Sequence, residues 1–410
     1  MYQLLEMKNN GLKKSVLEFA QELVRTPSLS LQEEEVAKKI ESRMKDIGYD
    51  KVFRDEAGNI IGILFGRESE PTVLLCSHMD TMPPGDEDAW TDDPYSGKME
   101  NDRLYGRGAS DCKAGLAAQI YSGALLKRSL LPLKGTLVVA ATVAEENGPS
   151  VGVRTLLEKT LPELGLEPDF AILGEPTELG LYYGHDGWME TDIEIKGVNP
   201  FHVDNAASAI FSNLENASQP STGSEGPREE MNVYSPQFKD GDGIRRATVR
   251  VERRVQSAEE VASVINDVNR NASLVAQAEG AVAVKVDVRL EQQQLYTGMT
   301  TVVHRVTHPW QTDPFHPLLE RSRQVLAAAG CEAKPAKWKL GQLGMGTAGG
   351  VMVNEFNIPT VGYGPGSEAA AHAPNESVDI DRITECVYGT AALVHGLIGV
   401  PVFGWTADEI

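Results

Sequence analysis

Three stretches, TVLLC (72–76), TLVVAATVA (136–144) and FAILG (170–174), are apolar or small at every position rather than at alternate ones. A strand with one wet face alternates, whereas an unbroken run suits a parallel strand covered on both faces by helices. Between the first two runs lies CKAGLAAQIYSGALLKR (112–128), whose small and apolar residues suit a buried helix. Upstream, LKKSVLEFAQELV (12–24) and EEEVAKKIESRMKDIG (33–48) carry apolar residues at three- and four-residue spacing, the pattern of outer helices. The expected fold class is α/β, with a mixed, largely parallel sheet covered by helices.

From about His185 the texture changes. WMETDIEIKG (188–197), ATVRVERRV (247–255) and VAVKVDVRL (282–290) alternate, and two helical stretches, NAASAIFSNL (205–214) and SAEEVASVINDV (257–268), lie among them. The second opens on a capping box of Ser257 and Glu260. This reads as a small α+β domain with one wet sheet face. Its first helix is followed by SQPSTGSEGPREE (218–230), an expected exposed loop. Helix and strand signals of the first kind resume near Thr297. The expected organisation is a first part of one domain over 1–184, an insertion over 185–296, and the remainder of the first domain over 297–410.

Composition narrows the classes. A net charge of −21 and a pI near 4.9 repel phosphate backbones and anionic membranes, so no nucleic acid or membrane partner is expected. No stretch has the roughly 18 consecutive apolar residues of a membrane span. The four cysteines are far apart and form no CxxC pair, which fits reduced thiols and a cytoplasmic location.

The chemistry-bearing residues fall just after the apolar runs. His78 follows TVLLC, Glu145 and Glu146 follow TLVVAATVA, Glu175 follows FAILG, and His372 lies beyond IPTVGYGPG (358–366). In open α/β sheets ligands bind outside the carboxyl ends of the strands, so these residues can meet in one crevice, and Asp111 before the buried helix can join them. Two histidines and three carboxylates match a paired metal site with one shared carboxylate. Asp80 is then expected to accept a hydrogen bond from the His78 imidazole. Neighbouring side chains on extended backbone point different ways, so Glu145 and Glu146 should have different tasks. Each residue taken singly also has a plainer reading, as a strand cap, a helix cap or a solvated loop residue.

LLCSHMDT, AWTDDPYSGKMENDRLYGRGASDCKAG, VAEENG, ILGEPT and GYGPGSEAAAHAPNESV, in this order, closely resemble the family of acetylornithine deacetylase, succinyl-diaminopimelate desuccinylase and glutamate carboxypeptidase. Within it the likeness is strongest to bacterial hydrolases of unassigned substrate linked to selenium metabolism. The resemblance implies two zinc ions, with cobalt or manganese as alternatives. Asp111 would bridge them, His78 and Glu175 would complete one site, and Glu146 and His372 the other. It implies Glu145 as general base, a cis peptide after Asp111, and a ferredoxin-like lid that joins two subunits of a homodimer. His202 would stabilise the oxyanion across that dimer, and Arg254 and Gly349 would contact a small-molecule substrate. The activity implied is cleavage of an amide bond in a small N-acyl amino acid, with carboxypeptidase or dipeptidase action as the alternative.

The likeness weakens at two places. VNPFHVDNAAS (198–208), around His202, is shorter than the family's usual run, and Ala348 stands where the family commonly has Asp or Asn. Two readings from other classes are a metal-binding protein without turnover and a nucleotide-binding oxidoreductase. The latter rests on Gly344, Gly346 and Gly349 in a G-x-G-x-x-G.

Overall fold

The unbroken apolar runs form neighbouring strands of one sheet. The computed structural model describes residues 1–218, 231–256, 259–280, 282–331 and 342–400. The loop expected at 218–230, after Ser218, and the capping Ser257 lie outside the described residues. The chain divides into two compact units. One contains Met1–His185, Gln293–Thr301 and Trp310–Ile410, and the other contains Asp186–Gln292 and Val302–Pro309.

The first unit is built on six strands: β1 (Lys51–Arg54), β2 (Ile60–Leu64), β3 (Thr72–His78), β4 (Thr136–Thr142), β5 (Phe170–Leu173) and β6 (Thr360–Gly362). Their order across the sheet is β1-β2-β4-β3-β5-β6. β3 runs parallel to β4 and β5, and β6 runs parallel to β5, while β2 is antiparallel to both its neighbours. The fold is thus mixed α/β with a largely parallel central sheet. Every residue of β3 and β4 is buried, as a strand covered on both faces requires.

Helices α1 (Lys13–Val24), α2 (Glu34–Ile47), α3 (Ala114–Ser129) and α4 (Ile380–Ile398) belong to this unit. α2 buries Val36, Ala37, Ile40 and Met44, one stripe of an amphipathic helix, whereas α3 is buried at every position except Lys127 and Arg128. α3 packs against α4 and β3, which explains its lack of a polar face. Buried Gln119 on α3 accepts from Ser77 Oγ at 2.8 Å and donates to the Ile172 carbonyl at 2.9 Å, tying β3 to β5. No helix among the described residues is long and apolar enough to cross a membrane.

One buried group in α4 gives the fold an acid-sensitive point. Burial pushes His395 down to about 4, and its Nε2 has no hydrogen-bond partner among the described residues. An unfolded histidine titrates near pH 6.5, so the unfolded chain binds the extra proton first. The stabilising effect of a neutral His395 is therefore complete above about pH 6.5 and lost as pH falls toward 4. In urea unfolding, His395→Leu is expected to remove roughly 2 to 3 kcal/mol of the wild-type stability loss between pH 7.5 and 4.5. Carboxylate titrations elsewhere cancel in that comparison.

The second unit has long strands at Gly187–Gly197 and Ile244–Val255, paired antiparallel along eleven residues. Met231–Val233, Gln237–Gly241 and Ala283–Val288 flank them, and helices Pro200–Ser218 and Val261–Glu279 supply a core of Val203, Ile210, Val268 and Ala272 against Ile193, Ile195 and Val249. The return from this unit is not a single crossing near 296. Gln293–Thr301 lies with the first unit, but Val306–Thr307 pairs with Met189 and Trp188 and so draws Val302–Pro309 back into the second.

Candidate metal centre

Because β4, β3, β5 and β6 are adjacent and parallel, their carboxyl ends share one edge of the sheet. His78 is the last residue of β3, Glu145 and Glu146 follow β4, Glu175 follows β5 by two residues, and His372 lies in the segment after β6. Asp111 sits just before α3, in a non-helical turn whose Asp111–Cys112 peptide is cis. Helix α3 can begin so near β5 because residue 115 is glycine. A Cβ there would collide with the Gly174 carbonyl oxygen, one residue before Glu175.

The donor atoms form two sets that share Asp111. In one, atoms of His78, Asp111, Cys112 and Glu175 all lie within 4.8 Å of one another, and in the other those of Asp111, Glu146 and His372 do. His78 Nε2 lies 3.1 Å from Asp111 Oδ1, and His372 Nε2 lies 3.2 Å from Asp111 Oδ2 and 2.9 Å from Glu146 Oε2. Cys112 Sγ donates to the His78 carbonyl at 3.3 Å. His372 is the most open member, its side chain 39% exposed, against 1% for Asp111.

The His78 imidazole meets Asp80 through the backbone carbonyl rather than the carboxylate. Its Nδ1 lies 2.9 Å from the backbone carbonyl of Asp80, while the Asp80 carboxylate is 3.6 Å away. A carbonyl only accepts, so Nδ1 carries the proton and Nε2 is left to face Asp111. The Asp80 carboxylate is drawn elsewhere, because it accepts from the amides of Glu145 at 3.1 Å and Glu146 at 3.0 Å and from Ser30 Oγ at 2.6 Å. Glu33 works on the same loop, accepting from the amides of Leu31 and Ala144. Burial, then the nearby charge of Asp80, pushes the Glu33 carboxyl up to about 8.

The site holds more negative charge than its burial favours. Burial pushes Glu145 up to about 8, and it also raises Glu146 and Glu175, with neighbouring carboxylates adding to all three. Burial opposes charge on Asp111 as well, but hydrogen bonds from His372 and His78 outweigh it and hold the carboxyl well below its usual range. Glu145 Oε1 accepts from Ser150 Oγ at 3.0 Å, and its Oε2 is buried with no hydrogen-bond partner among the described residues.

His202 and Arg254 belong to the second unit. The His202 ring packs on Gly280, where a Cβ would meet it, and Arg254 Nε donates to Asp186 Oδ2 at 3.0 Å. Gly349 starts the six-residue helix Gly349–Asn354, and its lack of a side chain admits the Trp310 ring. Ala348 is buried in the core with Val351 and Met352. Among the described residues, the G-x-G-x-x-G stretch follows the two-residue strand Gln342–Leu343 and leads into that short helix, whereas a dinucleotide loop opens a long helix.

Sequence reading passed over Ser30, Glu33, Ser150, Arg107 and Glu376. Arg107 and Glu376 stand inside recognisable motifs, but only the fold shows that they are buried and paired, at 2.8 Å.

Carboxylates and histidines gathered at the carboxyl edge of a largely parallel sheet form a candidate metal centre. The chain belongs to the peptidase family M20/M25/M40, whose model matches residues 74–396. Over 407 residues it is 27% identical to a protein of Escherichia coli K12 described as the uncharacterized protein YgeY, covering 96% of each chain. It is 33% identical to succinyl-diaminopimelate desuccinylase of Xylella fastidiosa over 205 residues, 46% of this chain and 54% of that one. Among solved structures, the dipeptidase Dug1p of Saccharomyces cerevisiae shares the fold with a TM-score of 0.69 at 15% identity, over 97% of this chain and 98% of that one. YXEP of Bacillus subtilis, described as a dinuclear metal-binding peptidase of the M20 family, shares it with a TM-score of 0.67 at 20% identity, over 94% and 98%.

Proposed function

We propose that the chain hydrolyses an amide bond in a small N-acyl amino acid, in the manner of a deacetylase or desuccinylase, using two divalent metal ions and Glu145 as general base. The observation that carries this reading is the pair of donor sets sharing Asp111. Imidazole nitrogen and carboxylate oxygen are the donors that zinc takes, and cobalt or manganese fit the same set. His78 with Glu175, and Glu146 with His372, would each hold one ion, and Asp111 both. The raised carboxyls of Glu146 and Glu175 support the fit, since two cations would offset first the cost of charge on buried carboxylates and then the repulsion among them.

When bound, such a pair lowers the pKa of water and polarises the carbonyl under attack. The proton work falls to Glu145. With Oε1 held by Ser150, its unpartnered Oε2 takes the proton and returns it to the departing amine nitrogen. Asp80 and Glu33 hold the backbone that carries Glu145, through the amides of Ala144, Glu145 and Glu146. A homodimer through the second unit belongs to the same reading, supported by exposed Val198, Phe201 and Phe238, with His202 stabilising the oxyanion and Arg254 receiving a substrate carboxylate. Four buried, free cysteines support a reducing, cytoplasmic setting.

The test is amine release from a panel of N-acetyl and N-succinyl amino acids and dipeptides, after chelation and reconstitution with zinc, cobalt or manganese. Preferential cleavage of acylated amino acids by the reconstituted protein is expected. Dipeptides are the competing class, because solved proteins of this fold include dipeptidases. Protein that takes up no metal and cleaves no member of the panel would sink the proposal.

A further inference from the structure

A second buried cluster adjoins the donor sets without contributing to them. Glu376, four residues after His372, is 1% exposed, and its carboxylate takes four donors. Oε1 accepts from the amides of Ser110 at 2.8 Å and Asp111 at 3.0 Å, and Oε2 accepts from the amide of Gly108 at 3.0 Å and from Arg107 Nη1 at 2.8 Å. Arg107, 2% exposed, turns its Nη2 to the carbonyl of His372 at 3.2 Å and that of Pro84 at 3.4 Å, with its guanidinium over the Trp90 ring.

A buried ion pair is a weak source of stability, because desolvation offsets most of its Coulomb attraction. What this one does is geometric. All four donors to Glu376 come from residues 107–111, the segment that carries Asp111, and three of them are backbone amides. Arg107 reaches on to the backbone of His372, so one pair joins two segments that carry candidate ligands.

Resting on the two-metal reading above, we propose that Glu376 and Arg107 are positioning residues for the metal pair. Glu376 fixes the backbone that presents Asp111 to both ions, and Arg107 fixes the backbone of His372, which serves one. The two residues should therefore fail differently. Glu376→Gln keeps the shape but turns an amide group toward two of the donors, so both ions are expected to bind about 10- to 100-fold more weakly, with kcat reduced and KM unchanged. Arg107→Met leaves three amides on Glu376 and frees the carbonyls of Pro84 and His372, of which only His372 is a candidate ligand, so one of the two affinities is expected to fall.

The measurement is calorimetric titration of cobalt(II) into chelated protein, with thermal unfolding and steady-state kinetics in parallel. Two weakened sites in Glu376→Gln and one in Arg107→Met support the proposal. Variants with a lowered Tm but wild-type affinity for both ions overturn it, since that is what a purely structural pair would give. If Glu376→Gln does not fold, Arg107→Met decides alone by whether a single affinity falls. Wild-type protein that binds no cobalt overturns the two-metal reading and this inference together, whereas two tight sites unaffected by either change overturn this inference only.

Discussion

Glu145→Gln is expected to lower kcat by roughly 100- to 10,000-fold, about 3 to 5 kcal/mol of barrier, while both metal ions remain bound and KM changes little. Glutamine fills the same volume and its carbonyl oxygen can still accept from Ser150, so the loop after β4 keeps its shape. What disappears is Oε2, the oxygen of this side chain with no hydrogen-bond partner among the described residues, replaced by an amide nitrogen that cannot take a proton. Neither donor set contains Glu145, so metal content serves as the internal control. Steady-state kinetics with metal analysis on the same preparation checks this. A variant that keeps both ions and wild-type kcat would remove Glu145 from the chemistry and leave the metal centre standing.

Glu146 is one residue away and is expected to behave in the opposite sense. Its Oε2 is 2.9 Å from His372 Nε2, so its loss strikes an ion site rather than a proton acceptor. Asp80 accepts from both of their amides, and the two glutamates differ in side-chain partner, Ser150 for Glu145 and His372 for Glu146.

The sheet is readable in the sequence because burial on both faces leaves a mark that survives in one dimension. TVLLC and TLVVAATVA have no polar alternate positions, and strands of that kind are rarely anything but central. Residues that come immediately after such runs share one edge of a parallel sheet, which is why the order of residues along the chain suffices to group His78, Glu145, Glu146 and Glu175. His372, ten residues beyond β6, is harder to place from spacing, and the family resemblance supplies its assignment.

The side chains that hold the cluster in place are not readable in the same way. Arg107, Glu376 and Glu33 look like surface residues in a sequence, because a charged residue carries no periodic sign of burial. Their roles depend on which backbone amides face them, and that is fixed only when distant segments meet. Asp80 illustrates a finer limit. Its position two residues after His78 points to the right pair, but whether carbonyl or carboxylate meets the imidazole depends on the dihedral angles of a short turn. The two amides of Glu145 and Glu146 decide it by claiming the carboxylate.

Asp111→Asn should have the largest effect on metal content. Every other ligand candidate belongs to one donor set, whereas Asp111 belongs to both. Asparagine keeps one oxygen at the shared position but loses the charge, and its nitrogen cannot ligate a cation. Each ion is therefore expected to bind at least about a hundredfold more weakly, above the range typical of residues that merely support a ligand. His372→Ala and His78→Ala provide the contrast, since each should cost one ion and spare the other. Metal analysis after dialysis would then read none per chain for Asp111→Asn and one for each histidine variant, against two for wild type. Two ions retained by Asp111→Asn would mean that the donor sets are independent and that no carboxylate is shared between them. Loss of both ions in His372→Ala alone would instead mean that the more exposed position must fill before the buried one can.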